Sequence, residues 1–100
     1  GLTHSQVKDY PATLADLNKA VEHLPDNGYN YHSRGRTHHD LKDYPAALAD
    51  FNKAIELLPE NGNNYYRRGN THYQLKDYPA ALADFNKAVE LQPENLDKYQ

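Results

Sequence analysis

Tyr29, His32, Ser33, Arg36, His39 and Asp40 are spaced i, i+3, i+4, i+7, i+10 and i+11, and 34 residues on the same six places hold Asn63, Tyr66, Arg67, Asn70, Tyr73 and Gln74. At 3.6 residues per turn this spacing confines six side chains to an arc of about 120° on one helix face. The set is suited to recognition. Tyrosine offers a large contact area on few rotors, arginine offers paired N–H donors to a carboxylate, and asparagine can pair with an extended peptide backbone. With Arg36 and Arg67 against Asp40 the face is formally +1 in a chain of net charge −3. The expected partner is a protein or peptide segment bearing acidic and aromatic side chains.

Reactive chemistry has little support in the residues. Ser5 and Ser33 are the only serines, and neither has a histidine and an acid in a triad arrangement. Asp9, Asp43 and Asp77 are read as helix caps, and no glycine-rich phosphate loop occurs. His4, His38 and His72 recur at one place in each copy, on the side away from the variable face, and are expected to be part-buried and bonded within a helical hairpin. His32 and His39 share the variable face, but seven residues correspond to roughly 10 Å of helical rise, too far for one ion. No catalytic residue, metal or cofactor is expected.

The elements that position this face follow from a repeat. Lys-Asp-Tyr-Pro stands at Lys8–Pro11, Lys42–Pro45 and Lys76–Pro79, each copy 34 residues after the last, a period characteristic of stacked helical hairpins. Gly28–Asn61 and Gly62–Asn95 differ at eight positions, of which six are the pairs above. One face varies while the scaffold stays fixed. Tyr29–Leu41 reads as a first helix, with Tyr31, Gly35, His38 and Leu41 on its constant side. Gly35 costs about 1 kcal/mol in a helix interior, so its recurrence as Gly1 and Gly69 predicts close approach by a neighbouring helix. Lys42 makes the turn, Asp43 caps a second helix that tolerates Pro45 in its first turn, and Ala47, Leu48, Phe51, Ala54, Ile55 and Leu58 form an apolar stripe ending before Pro59. The same reading gives helices over Asn63–Leu75 and Tyr78–Gln92, and over Leu2–Val7 and Tyr10–Leu24. The units are therefore an incomplete repeat over 1–27, full repeats over 28–61 and 62–95, and the start of a further helix over 96–100, all in one continuous domain.

Composition agrees with an array of this kind. With 38% hydrophobic residues, mostly Ala, Leu and Tyr, and a mean hydropathy of −1.02, a single compact core would be thin, whereas stacked hairpins use small residues at close contacts. A net charge of −3 and a pI near 6.0, with no basic stripe, argue against nucleic-acid binding. No apolar run is long enough to span a bilayer, and the absence of cysteine excludes disulfides and thiolate metal sites. The absence of methionine implies that the chain is a piece of something longer.

Tyr31, Gly35, Ala47, Phe51, Ala54 and Pro59, repeated as Tyr65, Gly69, Ala81, Phe85, Ala88 and Pro93, resemble the tetratricopeptide repeat pattern, and the likeness covers essentially the whole chain. Tyr stands where that family more often has Trp, Lys42 and Lys76 where the hairpin often has Gly, and Arg34 and Arg68 where Leu is usual. The resemblance implies an all-α, right-handed solenoid of antiparallel helical hairpins, about three 34-residue units, whose concave groove binds partner peptides or helices. It implies that the variable face is that groove. The family's carboxylate-clamp subclass is matched in type by Arg67 and Asn70 and not by Ser33 or Asn63, so chaperone-tail binding is not expected.

Two alternatives stay open at this level. The variable positions could be solvated sites drifting after duplication, or a diversified face on a consensus scaffold. Against drift, Asp50/Asp84, Asn52/Asn86, Lys53/Lys87 and Glu56/Glu90 read as outward positions equally free to change, and are identical. A structural array is the other functional reading. Leu2–Val7 and Leu96–Gln100 are complementary portions of one hairpin helix, which would favour head-to-tail self-association.

Overall fold

The recurring tetrapeptide marks a helix boundary each time the structure describes it. In the computed structural model residues 9–91 are described, and the segments Leu2–Val7 and Leu96–Gln100, with His4, lie outside them. Five helices follow in order: α1 Tyr10–His23, α2 Gly28–Asp40, α3 Tyr44–Leu57, α4 Gly62–Gln74 and α5 Tyr78–Leu91. Their ends fall within a residue of the sequence expectation, and none is long and apolar enough to cross a membrane. Asp9, Asp43 and Asp77 cap α1, α3 and α5 by accepting from the backbone N–H of Ala12, Ala46 and Ala80 at 3.1, 3.4 and 3.4 Å. Asn27 and Asn61 cap α2 and α4 in the same way, accepting from the N–H of Tyr29 and Asn63 at 2.9 and 3.0 Å.

Lys42 and Lys76 explain the tight turn within each hairpin. Both lie at φ 65°, in the left-handed region. The Lys42 N–H bonds to the His39 carbonyl and the Asp43 N–H to the His38 carbonyl, both at 2.8 Å, a Schellman closure that usually employs glycine. A side chain there costs about 1–2 kcal/mol. The same closure recurs at Lys76 and Asp77.

Packing follows from small residues. α2 lies against α3 and α4 against α5 as hairpins, with α1 on α2 and α3 on α4 joining successive units. Among the described residues the buried apolar side chains are Ala47, Phe51, Ala54, Ala81 and Ala88. Gly35 meets the ring of Phe51: a Cβ there would stand 2.8 Å from Phe51 Cε1 and 2.9 Å from Cδ1, and at Gly69 the same distances separate it from the ring of Phe85. Gly35→Ala is therefore expected to destabilise by about 1–2 kcal/mol net, since overpacking at a pinned ring costs more than the helix propensity gained. Urea unfolding checks it, and a stabilised variant would show that the ring can move aside.

Polar bonds pin the units together. Arg34 on α2 donates from Nε and Nη2 to Asp50 Oδ2 and Oδ1 on α3 at 2.9 and 2.7 Å, and from Nη1 to Asn18 Oδ1 on α1 at 3.2 Å. One repeat later Arg68 holds Asp84 by two bonds of 2.8 Å and Asn52 by a third of 2.8 Å. His38 and His72 lie alongside, with Nε2 at 3.6 and 3.7 Å from Asp50 Oδ2 and Asp84 Oδ2, as expected for histidines held inside the hairpin. The structure corrects the reading of Asp50 and Asp84 as outward positions: both are buried and bonded. Asn52 is held by Arg68, and Lys53–Glu56 and Lys87–Glu90 pair across one helical turn. Asp50, Asp84, Asn52 and the two Lys–Glu pairs thus have bonded roles, so their sameness no longer weighs against drift.

Candidate functional site

α2 and α4 lie side by side in successive units, so the variable faces of the two first helices adjoin. Between them is a small cleft of about 50 Å³ lined by Arg36, His39 and Asp40 from α2, Arg67 and Asn70 from α4, and Phe51 from α3. Five of the twelve sequence-predicted residues thus meet at one place. Phe51 was not among them; it reads as core from its spacing, and it is both core and cleft wall.

His32 and His39 serve a second purpose. His32 Nδ1 lies 2.6 Å from Asn64 Oδ1, and His39 Nδ1 lies 2.9 Å from Thr71 Oγ1, so both histidines bridge α2 to α4. The partners fix the tautomers. Asn64 Nδ2 donates to the Ala54 carbonyl at 3.4 Å, which turns Oδ1 toward His32, and the Thr71 hydroxyl donates to the Arg67 carbonyl at 3.0 Å, which leaves its oxygen to accept. Each histidine therefore donates from Nδ1–H and keeps Nε2 as its basic nitrogen. Asn64 and Thr71 are fully buried constant residues that the sequence reading passed over. The available signal was Asn30 and Asn64 recurring inside a helix, where asparagine is a poor former.

The variable positions also keep common packing roles. His32 stands edge-on to Phe51 and Tyr66 lies tilted against Phe85, each with 5.8 Å between ring centroids, and His39 and Tyr73 stand edge-on to Tyr44 and Tyr78 at 5.2 and 5.3 Å. Tyr73 remains exposed, as does Gln74 at the end of α4. Ser33 is half-buried beside Thr37, whose hydroxyl donates to the Ser33 carbonyl at 3.0 Å. Tyr29 and Asn63 sit apart, in the first turns of α2 and α4. Tyr29, 62% exposed, stands between two open hollows formed by residues 23–28 with Leu58, and by residues 57–61.

Electrostatics single out the cleft. Burial lowers the pKa of the Arg67 guanidinium, and the neighbouring Arg36 charge lowers it further against the opposing pull of Tyr66 and Asp40. Burial likewise lowers His32, with the Asn64 bond opposing and Arg36 and Arg67 adding to the depression; His39 is lowered by burial and Arg67, with Asp40 opposing. The site carries more positive than negative charge in partly dry surroundings. Among the described residues no group of three or more His, Cys, Asp or Glu side chains could hold a metal ion.

Two family models match the chain, one for the tetratricopeptide repeat over residues 64–95 and one for the TPR repeat over residues 35–76. The chain belongs to the tetratricopeptide repeat family. Its TPR hairpins form an all-α solenoid like several solved structures. The first TPR domain of Spaghetti (RPAP3), bound to the HSP90 peptide SRMEEVD, matches with a TM-score of 0.83 and 27% identity over 86% of this chain and 68% of that one. The TPR2B domain of yeast Sti1, in complex with pHsp70, matches with a TM-score of 0.87 and 25% identity over 98% and 80%. MamA of MSR-1 matches at 0.82 and 28% over 94% and 54%. No curated protein matches by sequence. The TPR assignment accounts for Gly35 and Gly69 against Phe51 and Phe85. The Arg34 and Arg68 pins stand where the resemblance to the family leads one to expect leucine.

Proposed function

We propose that this TPR chain is a protein-interaction module that receives a peptide or helix of a partner along the face formed by α2 and α4, in a scaffold or adaptor role. The observation that carries this reading is the meeting of Arg36, His39, Asp40, Arg67 and Asn70 round one cleft. Among the described residues Arg34 and Arg68 are engaged by buried aspartates, whereas Arg36 and Arg67 form no ion pair within 4.0 Å and stay available to a ligand. Tyr29 and Tyr73, both exposed, extend the contact area along the same two helices. The TPR domains of Spaghetti and Sti1, seen with chaperone peptides, support a peptide partner for this face.

A peptide array followed by calorimetry on the best binder tests the assignment. Arg36→Ala and Arg67→Ala are each expected to weaken binding about tenfold or more, as for interface arginines generally. Lys87→Ala on α5 should leave it unchanged. Binding unaffected by both arginine variants would remove the α2–α4 face as the site.

A further inference from the structure

We infer that the edge of the solenoid carrying Lys42 and Lys76 docks on the opposite edge of a second copy of the chain, where Asp26 and Glu60 stand on either side of Tyr29. The inference goes beyond the groove-binding reading and shares only Tyr29 with it.

Strain marks the first edge. Both lysines lie at φ 65°, where glycine is the usual residue and any side chain carries a penalty. A disfavoured backbone state held at two equivalent places points to a use for the side chain that glycine lacks. Both lysines are exposed, and among the described residues neither forms an ion pair within 4.0 Å. The acids that follow them, Asp43 and Asp77, are turned to the N–H groups of Ala46 and Ala80 as caps. Leu41 and Leu75, which precede them, are 41% and 43% exposed. Each turn thus presents a leucine and an unpaired ammonium together.

The far edge, about 20 Å away at the other end of the 13-residue helices α2 and α4, offers the reverse. Two open hollows of about 490 and 410 Å³ adjoin there along the loops between hairpins, within the range of ligand clefts. Leu24, Pro25 and Leu58 line the first, Leu58 and Pro59 the second, and Tyr29 belongs to both. Asp26 is the acid of the first hollow and Glu60 that of the second, His23 also borders the first, and no lysine or arginine lines either. Among the described residues neither acid forms an ion pair within 4.0 Å; Lys53 feels the charge of Asp26 but is bonded to Glu56 at 2.9 Å. The loops are set in advance. The N–H groups of Asn27 and Asn61 donate to the Leu24 and Leu58 carbonyls at 3.1 and 3.2 Å, and the Tyr31 hydroxyl donates to the Pro25 carbonyl at 2.9 Å.

Complementarity selects the occupant. A turn of leucine and lysine meets apolar walls with one carboxylate, and the exposed Tyr29 ring offers its face to an ammonium. The spacing agrees as well, because Lys42 and Lys76, like Asp26 and Glu60, are 34 residues apart and are carried one stacking step apart by the same array. Two turns can therefore enter two hollows at once, and the first contact strengthens the second. The contact is heterologous: every assembled row keeps one free edge of each kind, so association continues beyond a dimer.

Sedimentation equilibrium on the whole chain tests the contact. The mass is expected to rise above the 11.5 kDa of the monomer as concentration goes from about 10 μM to about 1 mM. Association should weaken about tenfold between roughly 0.05 and 0.5 M salt, since charge pairs at an exposed edge are screened. The double variant Lys42→Gly, Lys76→Gly relieves the strained turns, so it should fold at least as stably while remaining monomeric. Charge exchange is the sharper arm. Lys42→Glu with Lys76→Glu, and Asp26→Lys with Glu60→Lys, should each be monomeric alone and associate when mixed. Arg67→Ala, expected to lose groove binding, should associate as the native chain does, so the two readings fail separately. A native chain that stays monomeric at about 1 mM overturns the inference. Association that survives in the double glycine variant also overturns it, as does a mixture of the exchanged variants that stays monomeric. Binding of a free leucine-lysine peptide in the hollows of a monomeric chain would assign that edge to another protein and equally overturn it.

Discussion

A Phe51→Ala variant is expected to lose about 3–5 kcal/mol of stability, a large share of the roughly 5–15 kcal/mol available to a domain of this size. Phe51 is 1% exposed and is the largest fully buried side chain among the described residues. Its ring touches the bare face of Gly35, stands edge-on to His32 and walls the α2–α4 cleft. Neighbouring buried residues are mainly alanines, which have no rotamers with which to fill the space. The loss would be read from the urea midpoint at unchanged slope. A cost below about 2 kcal/mol would mean that α2 and α3 collapse onto each other, and the cleft would then close as well.

Arg68→Ala is expected to cost about 2–4 kcal/mol, because it strands the buried carboxylate of Asp84 as well as freeing Asn52. The double variant Arg68→Leu, Asp84→Ala should recover much of that, since removing both charges removes the desolvation problem. A double-mutant cycle by urea unfolding, with Arg68→Leu and Asp84→Ala made singly and together, measures the coupling. An additive result would show that the bidentate bond contributes nothing beyond its two separate side chains. The leucine introduced in place of Arg68 is the residue the family commonly has there, so the same experiment shows what the polar pin adds over the ordinary contact.

Much of the fold was legible because local and periodic signals agree. Three copies of one tetrapeptide, a glycine recurring inside a helix, and an aspartate directly before Tyr-Pro each predict one boundary or close approach, and the structure places them so wherever it describes them. What escaped was the distinction between like residues. Arg34 and Arg36 are near neighbours in sequence, yet about 200° apart round α2 at roughly 100° per residue. One is locked between Asp50 and Asn18 while the other lines the cleft. Variation between copies also carried less than it suggested: His32 and Tyr66 differ in type and hold the same place against a phenylalanine ring. Asn64 and Thr71 escaped because their role depends on a residue of the preceding unit, 32 positions away.

The three-helix grip of Arg34 and Arg68 has a mechanical consequence. Each guanidinium fork sits on the reverse side of a first helix from the cleft and bonds to both neighbouring second helices, so it sets the angle at which one hairpin follows the next. The width of the α2–α4 cleft is thereby governed from behind, as a hinge governs a jaw. Loosening a pin would splay the jaw without altering any residue that lines the cleft.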